Sequence, residues 1–306
     1  MRVAEITTAP ELEHLERPWQ DLWARCAYAT PFQSPSWLIP WWNSFHPGKL
    51  TTLVIYEDER LVGLAPMFLL DGTIRLLGAG NTDYLDILCE PQCVRPVLRL
   101  LVDYLSNREY DFMDLPSWSP LLAMDGPASE CSVCPVLRLN ELNISRKLLA
   151  NLENARRDRE IRIEAANAES VPKMMDALIG LHEVRWRQKH QAGVLHSEEV
   201  RRFHRTAAPA LLRAGLLRLY GLCYQGQRAA VHYGLSAHGR TYYYLAGFDP
   251  SMASHSPGNL LIHHSVTEAM ASGDREYDFL RGQEQSKYRW GAQNTATLRL
   301  RRMKDE

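Results

Sequence analysis

Near its C-terminal end the chain reads Tyr277-Asp278-Phe279-Leu280-Arg281-Gly282-Gln283-Glu284-Gln285-Ser286-Lys287-Tyr288-Arg289-Trp290, which sets carboxylates and cations within a few residues of one another. Asp278 stands in an apolar, strand-like stretch beside Phe279 and Leu280, where a carboxylate must find a partner. Lys287 and Arg281 are the candidates. Two uses fit these residue types. In one, Asp278 or Glu284 accepts a proton and Lys287 contacts a phosphate or an oxyanion. In the other, the same charges form a structural ion pair.

A second stretch, TYYYLAGFDPSMASHSPGN, ends a strand at Ala246, Gly247 and Phe248 and leads through a loop to Ser256-Pro257-Gly258-Asn259, which opens a helix. The first backbone N–H groups of a helix have no partner inside it and can bind an anion. Gly258 would let a ligand approach the backbone closely. The local alternative is that Ser254 or Ser256 caps the helix. A third cluster, His182, Arg185 and Trp186 in LHEVRW, shares one helix, and His182 and Trp186 share a face at i and i+4. They either line a pocket together, with His182 as a further proton acceptor, or His182 is a satisfied core residue.

Other motifs carry less. Cys89-x3-Cys93 and Cys131-x2-Cys134 have a spacing that zinc ligands use, but no histidine or glycine-rich knuckle accompanies them, and no metal site is expected. His263-His264 has no companion ligand and reads as surface or packing, and His232 alternates inward along AAVHYGLS. Gly78-Ala79-Gly80-Asn81-Thr82-Asp83 begins like a dinucleotide fingerprint, yet its last position is Asp83 and no helix pattern follows. No GKS/GKT loop, GxSxG elbow or HExxH helix occurs.

The elements that must position these residues follow from periodicity and punctuation. The first half predicts a strand at Val3 to Thr7, a helix from Pro10 with Leu12, Leu15, Trp19, Leu22 and Trp23 on one side, and a short helix capped by Ser36. A hairpin of Leu50 to Tyr56 with Leu61 to Leu70, strands through Leu76 and Ile87, a helix Val94 to Leu105 and a strand Tyr110 to Leu115 follow. The second half predicts a helix over Leu142 to Arg159, a strand Ile161 to Ala165, a helix with Pro172 in its first turn, and a helix Ser197 to Ala214. Then come strands Leu216 to Tyr224, Arg228 to Ser236 and Thr241 to Phe248, turned at Gly226 and Gly239, a helix Gly258 to Ala271, and strands Tyr277 to Leu280 and Thr297 to Arg301. The helix between the strands ending at Phe248 and Leu280 makes a crossover, so these two strands should be parallel in a mixed sheet. Ligands of such sheets bind beside the helix N-terminus.

Composition narrows the function classes. With 306 residues, 45% hydrophobic and 23% charged, the chain is globular and long enough for about two domains, and disorder or a disulfide scaffold is excluded. The longest apolar stretch, Leu61 to Leu70, is broken by Gly63 and Pro66 and is about half of a membrane span. The N-terminus has no apolar segment behind Arg2, so a cytoplasmic location is expected. Residues 1–140 hold 18 acidic and 10 basic side chains, whereas 141–306 hold 18 acidic and 25 basic. A basic second half suits a phosphorylated cofactor. Nucleic acid is not expected, because Arg156, Arg157, Arg159 and Arg162 alternate with Glu153, Asp158 and Glu160 like the solvated face of a helix.

Taken in order, LHEVRW, the strand Arg228 to Ser236, YYYLAGFDP, SPGNLL and YDFLRG with KYRW resemble the GNAT acyltransferase superfamily, in its CelD-like or BioF2-like branch related to the Fem-type aminoacyl transferases of peptidoglycan synthesis. The resemblance covers about residues 140 to 295, and PFQSPSWLIPWW, GLAPM and GAGNTDYLD look like the first half of such two-lobed proteins. It implies an α/β fold with an α+β type of mixed sheet. Two tandem GNAT-like lobes, 1–140 and 141–306, would each be a mostly antiparallel sheet flanked by helices. It also implies acetyl-CoA or another acyl-CoA as donor. Ala246, Gly247, Phe248, Ser256, Gly258 and Asn259 would then form the donor cradle, and Glu284, Asp278, His182 and Lys287 the catalytic candidates. The loop departs from the usual [Q/R]xxGx[G/A] cradle, and Gly282 to Lys287 departs from GDEPYK while keeping Glu284 and Lys287.

The expected activity is N- or O-acyl transfer by direct attack of an acceptor amine or hydroxyl on the thioester. The acceptor would be a small molecule, such as a sugar or a glycan or envelope precursor, in association with envelope or polysaccharide machinery. The alternatives are a Fem-type transferase that draws on aminoacyl-tRNA and a non-catalytic GNAT-like scaffold of polysaccharide assembly.

Overall fold

The computed structural model of the chain describes residues 1–124, 126–142, 144, 146, 149–150, 152, 160–188 and 190–303. The helix expected over Leu142 to Arg159 lies for the most part outside them. The protein is a mixed α/β fold whose strands pair mostly antiparallel, divided into a first unit, Met1–Val133 with Ala296–Glu306, and a second unit, Cys134–Thr295. The chain passes from the first to the second inside one strand, β9 (Ala128–Arg138), and returns inside the last, β15 (Gln293–Arg302).

In the first unit the apolar stripe expected of one helix is carried by two, α1 (Ala9–His14) and α2 (Glu16–Arg25). Thr8 and Glu11 form a reciprocal capping box on α1, and the break falls at Leu15, whose N–H closes back on the Leu12 carbonyl. Leu12, Leu15, Trp19, Leu22 and Trp23 are nevertheless all buried. The third helix, α3 (Pro35–Phe45), starts one residue before the expected cap, with Ser34 as N-cap and Pro35 in its first turn. One sheet runs in the order β1 (Arg2–Ile6), β3 (Thr52–Glu57), β4 (Arg60–Ala65), β7 (Leu88–Cys89).

The expected hairpin is present as β3 and β4, but Pro66, with no N–H to give a ladder, ends β4. The chain then enters a second set of paired strands as β5 (Met67–Leu70), beside β2 (Lys49–Leu50) and β6 (Thr73–Leu76), with β8 (Glu109–Pro116) between β6 and β15. The helix α4 (Val94–Leu105) packs on these strands through Leu98, Leu101 and Leu105, and its Val97 packs with Ile55, Val62 and Cys89 of the first sheet.

The stretch after β6 is neither helix nor the expected strand through Ile87. Gly78 and Gly80 take positive φ, the Trp37 indole donates to Thr82, and the Leu85 N–H bonds the Asp114 carbonyl, so only Leu88 and Cys89 remain to pair. Asp86 is buried there. Its Oδ1 accepts from the Ser119 hydroxyl (2.7 Å) and the Ile87 N–H (2.8 Å), and its Oδ2 has no hydrogen-bond partner among the described residues.

The second unit is built on β10 (Ile161–Ala165), β11 (Leu217–Tyr224), β12 (Gln227–Ala237), β13 (Arg240–Phe248) and β14 (Glu276–Asp278), side by side in that order, with the end of β9 beyond β14. All pairs are antiparallel except β13 with β14. The two tight turns are Gln225-Gly226 and His238-Gly239, each with both residues at positive φ, the geometry that matches the twist of a hairpin. Two helices, α5 (Val171–Gln188) and α6 (Glu198–Arg213), cover the face that presents Gly247 and Tyr233. The helix α7 (Pro257–Ala271), which links β13 to β14, covers the opposite face with Tyr220, His232 and Tyr277. A short helix, α8 (Gln285–Tyr288), precedes β15.

Candidate functional site

Strands β13 and β14 pair only at Arg240, Thr241 and Tyr242, opposite Glu276, Tyr277 and Asp278, whereas β13 stays paired with β12 as far as Phe248. Beyond Asp278 the chain turns away: the Phe279 N–H bonds the Pro135 carbonyl, and Leu280 adopts φ 56°. The two parallel strands therefore part, and residues 243–248 have, among the described residues, a strand on one side only. A bulge sits at the same place. Tyr233 faces Leu245 and Gly234 faces Tyr243, so Tyr244 is an extra residue that increases the local twist of β13.

The chain opposite this open edge is held by charge. Asp278 is fully buried; its Oδ2 lies 3.4 Å from Arg240, which also pairs with Glu276, and its Oδ1 accepts the Leu280 N–H at 2.8 Å. Arg240 is 38 residues away in sequence, and sequence reasoning did not name it. Lys287, 7% exposed, donates to the carbonyls of Leu280 (3.2 Å), Arg281 (2.8 Å) and Gly282 (2.9 Å) and meets Glu284 Oε2 at 2.9 Å. Gly282 has φ 108°, and a Cβ there would lie 2.7 Å from the Glu284 carboxylate, so only glycine fits.

Glu284 is the accessible acid, with its side chain 64% exposed. Partial burial pushes its carboxyl up, but the hydrogen bond and charge of Lys287, helped by Arg185, outweigh this and hold it below the usual carboxylate value. His182 is buried against the other face of β13, where its backbone nitrogen would lie 2.9 Å from a Cβ on Gly247. Burial, with a smaller contribution from Arg185, pulls its imidazole down to about 4. It is neutral at pH 7, 5.7 Å from the Trp186 ring. Gly247 is thus required by the approach of α5.

At the start of α7, Ser256 is the N-cap in the left-handed region and makes no side-chain cap hydrogen bond; Ser254 instead contacts His255. The Gly258 and Asn259 N–H groups therefore have no side-chain cap. A Cβ on Gly258 would meet only Phe248, at 3.7 Å, and the Arg185 guanidinium stands 4.9 Å from the centre of the Phe248 ring. Arg185 and Tyr243 are the residues sequence reasoning left without a role. The signal for Arg185 was present, since it lies between His182 and Trp186; that for Tyr243 was masked by three consecutive tyrosines. Burial pushes the Tyr243 phenol up to about 12, with Arg185 working against it.

The structure thus joins Glu284 to Lys287 and seats Phe248 against Gly258. Asp278 is held with Arg240, and His182 lies on the opposite face of β13. Among the described residues no group of three or more His, Cys, Asp or Glu could hold a metal.

Residues 143–288 match the acetyltransferase (GNAT) domain family. No curated protein matches the sequence. Among solved structures, the C-terminal domain of a candidate lysylphosphatidylglycerol synthetase from Agrobacterium fabrum is 11% identical, with a TM-score of 0.66 over 96% of this chain and 92% of that one. FemX is 10% identical, with a TM-score of 0.65 over 98% and 96%. L-PGS from Bacillus licheniformis is 10% identical, with a TM-score of 0.57 over 88% of each chain. At these identities the likeness is one of fold.

Proposed function

We propose, from the place of residues 143–288 in the acetyltransferase (GNAT) family, that the protein is an acyl-CoA-dependent N- or O-acyltransferase in which an acceptor amine or hydroxyl attacks the thioester directly. The observation that carries this reading is the parting of β13 from β14 beyond Tyr242 and Asp278. An extended thioester arm can lie along the open edge of β13, where backbone N–H groups of Ala246 to Phe248 are the candidate donors to the oxyanion of a tetrahedral intermediate. At the end of that edge, the uncapped amides of Gly258 and Asn259, with Ser256, are suited to the phosphates of the donor, and Arg185 adds a cation nearby.

Glu284 is the proton acceptor we assign. It is exposed, whereas Asp278 is buried in its contacts with Arg240 and the Leu280 N–H, and His182 is buried with a depressed basicity. As a carboxylate that stays ionised, Glu284 also attracts an acceptor that arrives as an ammonium. The acceptor class is a small molecule, with a sugar or an envelope precursor as the first to screen. Titration calorimetry with acetyl-CoA and longer acyl-CoAs, alongside Gly258→Trp, tests the donor. Binding that the bulky side chain abolishes supports the reading, and no binding at any chain length sinks it.

A second reading has a specific support. The chain is similar in fold to FemX and to L-PGS, so an aminoacyl-tRNA donor is the alternative. Transfer of a labelled aminoacyl group from charged tRNA, in a protein that ignores acyl-CoA, would replace the first reading with the second.

A further inference from the structure

We propose that Lys287 is a positioning residue: its ammonium pins the segment Leu280–Gly282 and so keeps β14 turned away from the open edge of β13. This deepens the donor-site reading above and rests on it only for the ligand.

An ammonium has three N–H groups, and four acceptors surround this one within hydrogen-bond distance: the carbonyls of Leu280, Arg281 and Gly282 at 3.2, 2.8 and 2.9 Å, and Glu284 at 2.9 Å. The residue is 7% exposed. No N–H remains for a phosphate or an oxyanion, so the cation acts on the ligand through the loop it holds.

The loop needs holding. Leu280 has φ 56°, a left-handed conformation that a bulky branched residue adopts only when its surroundings impose it, and Gly282 has φ 108°. Two contacts fix the Leu280 peptide from both ends: its N–H is bound by Asp278, itself anchored on Arg240, and its carbonyl is bound by Lys287. Three carbonyls drawn toward one cation leave the segment unable to rejoin β13 as a straight continuation of β14. A continuation of the parallel ladder past Tyr242 would close the edge on which the donor is expected to lie. A buried charge therefore maintains the split between the strands together with the bulge in β13 and the Phe279–Pro135 bond.

The test uses the full chain and two independent readouts. In Lys287→Met, amide exchange of Leu280 to Gln283 should quicken by at least about tenfold while α7 and the β12–β13 ladder stay protected. Unchanged exchange in that segment overturns the proposal. In the same variant, acetyl-CoA should bind about tenfold more weakly through misplacement of the edge. The dependence of that binding on salt should not change, because no phosphate contact has been removed. A flattened salt dependence would mean that Lys287 touches the phosphates itself, and would overturn the proposal.

Should Lys287→Met fail to fold, the wild type decides. With nitrogen-15 lysine in a chain of six lysines, one caged ammonium should give a slowly exchanging signal near neutral pH. The lack of any such signal refutes the staple. If the wild type binds no acyl-CoA, the donor reading falls, while the exchange and ammonium measurements still judge the role of Lys287 in the loop.

Discussion

Asp86 is 3% exposed, and its Oδ2 has no hydrogen-bond partner among the described residues. Burial, opposed by the bonds from Ser119 and Ile87, raises its carboxyl from 3.8 to about 7. Between these two values the unfolded chain has lost the proton and the folded chain keeps it, so the stability of the first unit falls as pH rises through that window and stays low above it. The shift corresponds to on the order of 4 kcal/mol at most. Asp86→Asn keeps an acceptor for Ser119 and Ile87 and places a neutral amide where Oδ2 has no described partner. It should stabilise the protein at pH 8 by a few kcal/mol, within the same bound, and change little at pH 4. Urea denaturation at both values checks this, and equal effects at both would refute it. At the site, Glu284→Gln should lower turnover by about a hundredfold or more while acetyl-CoA affinity, read by calorimetry, is retained; an unchanged rate removes Glu284 as the base. That Asp278 needs a partner could be read from its apolar neighbours. That Arg240 supplies one could not, since only the parallel register of β13 and β14 brings them together.

At the scale of elements, legibility followed locality. The turns at Gly226 and Gly239, the crossover from β13 through α7 to β14, and the ends of α4 and β10 were readable because each depends on a few adjacent residues. The split of α1 from α2 was not, because one stripe of apolar residues serves a broken helix as well as a continuous one. Nor was the change of strand partners at Pro66, which depends on what lies beside the chain. Gly247, a donor-cradle candidate from the sequence, is also required by packing. A Cβ there would stand 2.9 Å from the His182 nitrogen and 3.1 Å from the Leu178 carbonyl oxygen, both backbone atoms of α5 that cannot rotate aside. Gly247→Ala should cost about 1–3 kcal/mol by overpacking, seen as a lowered midpoint in thermal unfolding. A midpoint equal to wild type would show that α5 can shift on the sheet without strain.

Across the whole molecule, the two units should respond to pH in opposite senses. The second unit buries His182, His204 and His232, whose imidazoles burial pulls down to about 4, 3 and 3. Below 6.5 the unfolded chain takes up protons that these groups refuse, so stability present above 6.5 is lost as pH falls toward 3. The first unit, through Asp86, weakens on the alkaline side instead. Tryptophan fluorescence separates them, because Trp19, Trp23, Trp37, Trp41, Trp42 and Trp118 lie in the first unit and only Trp186 and Trp290 in the second. Between pH 8 and pH 5 the fluorescence transition should move later relative to the unfolding of the second unit, and a gap between the two that does not change with pH would disprove the assignment.

The path of the chain through β9 and β15 also sets an order in time. Residues 134–295 leave the ribosome as one continuous stretch, whereas the first unit waits for residues 297–302 to pair with β8. The first unit is therefore finished after the second. Until then one side of β8 is an unpaired strand edge, open to aggregation or to a chaperone, for as long as translation takes to reach β15.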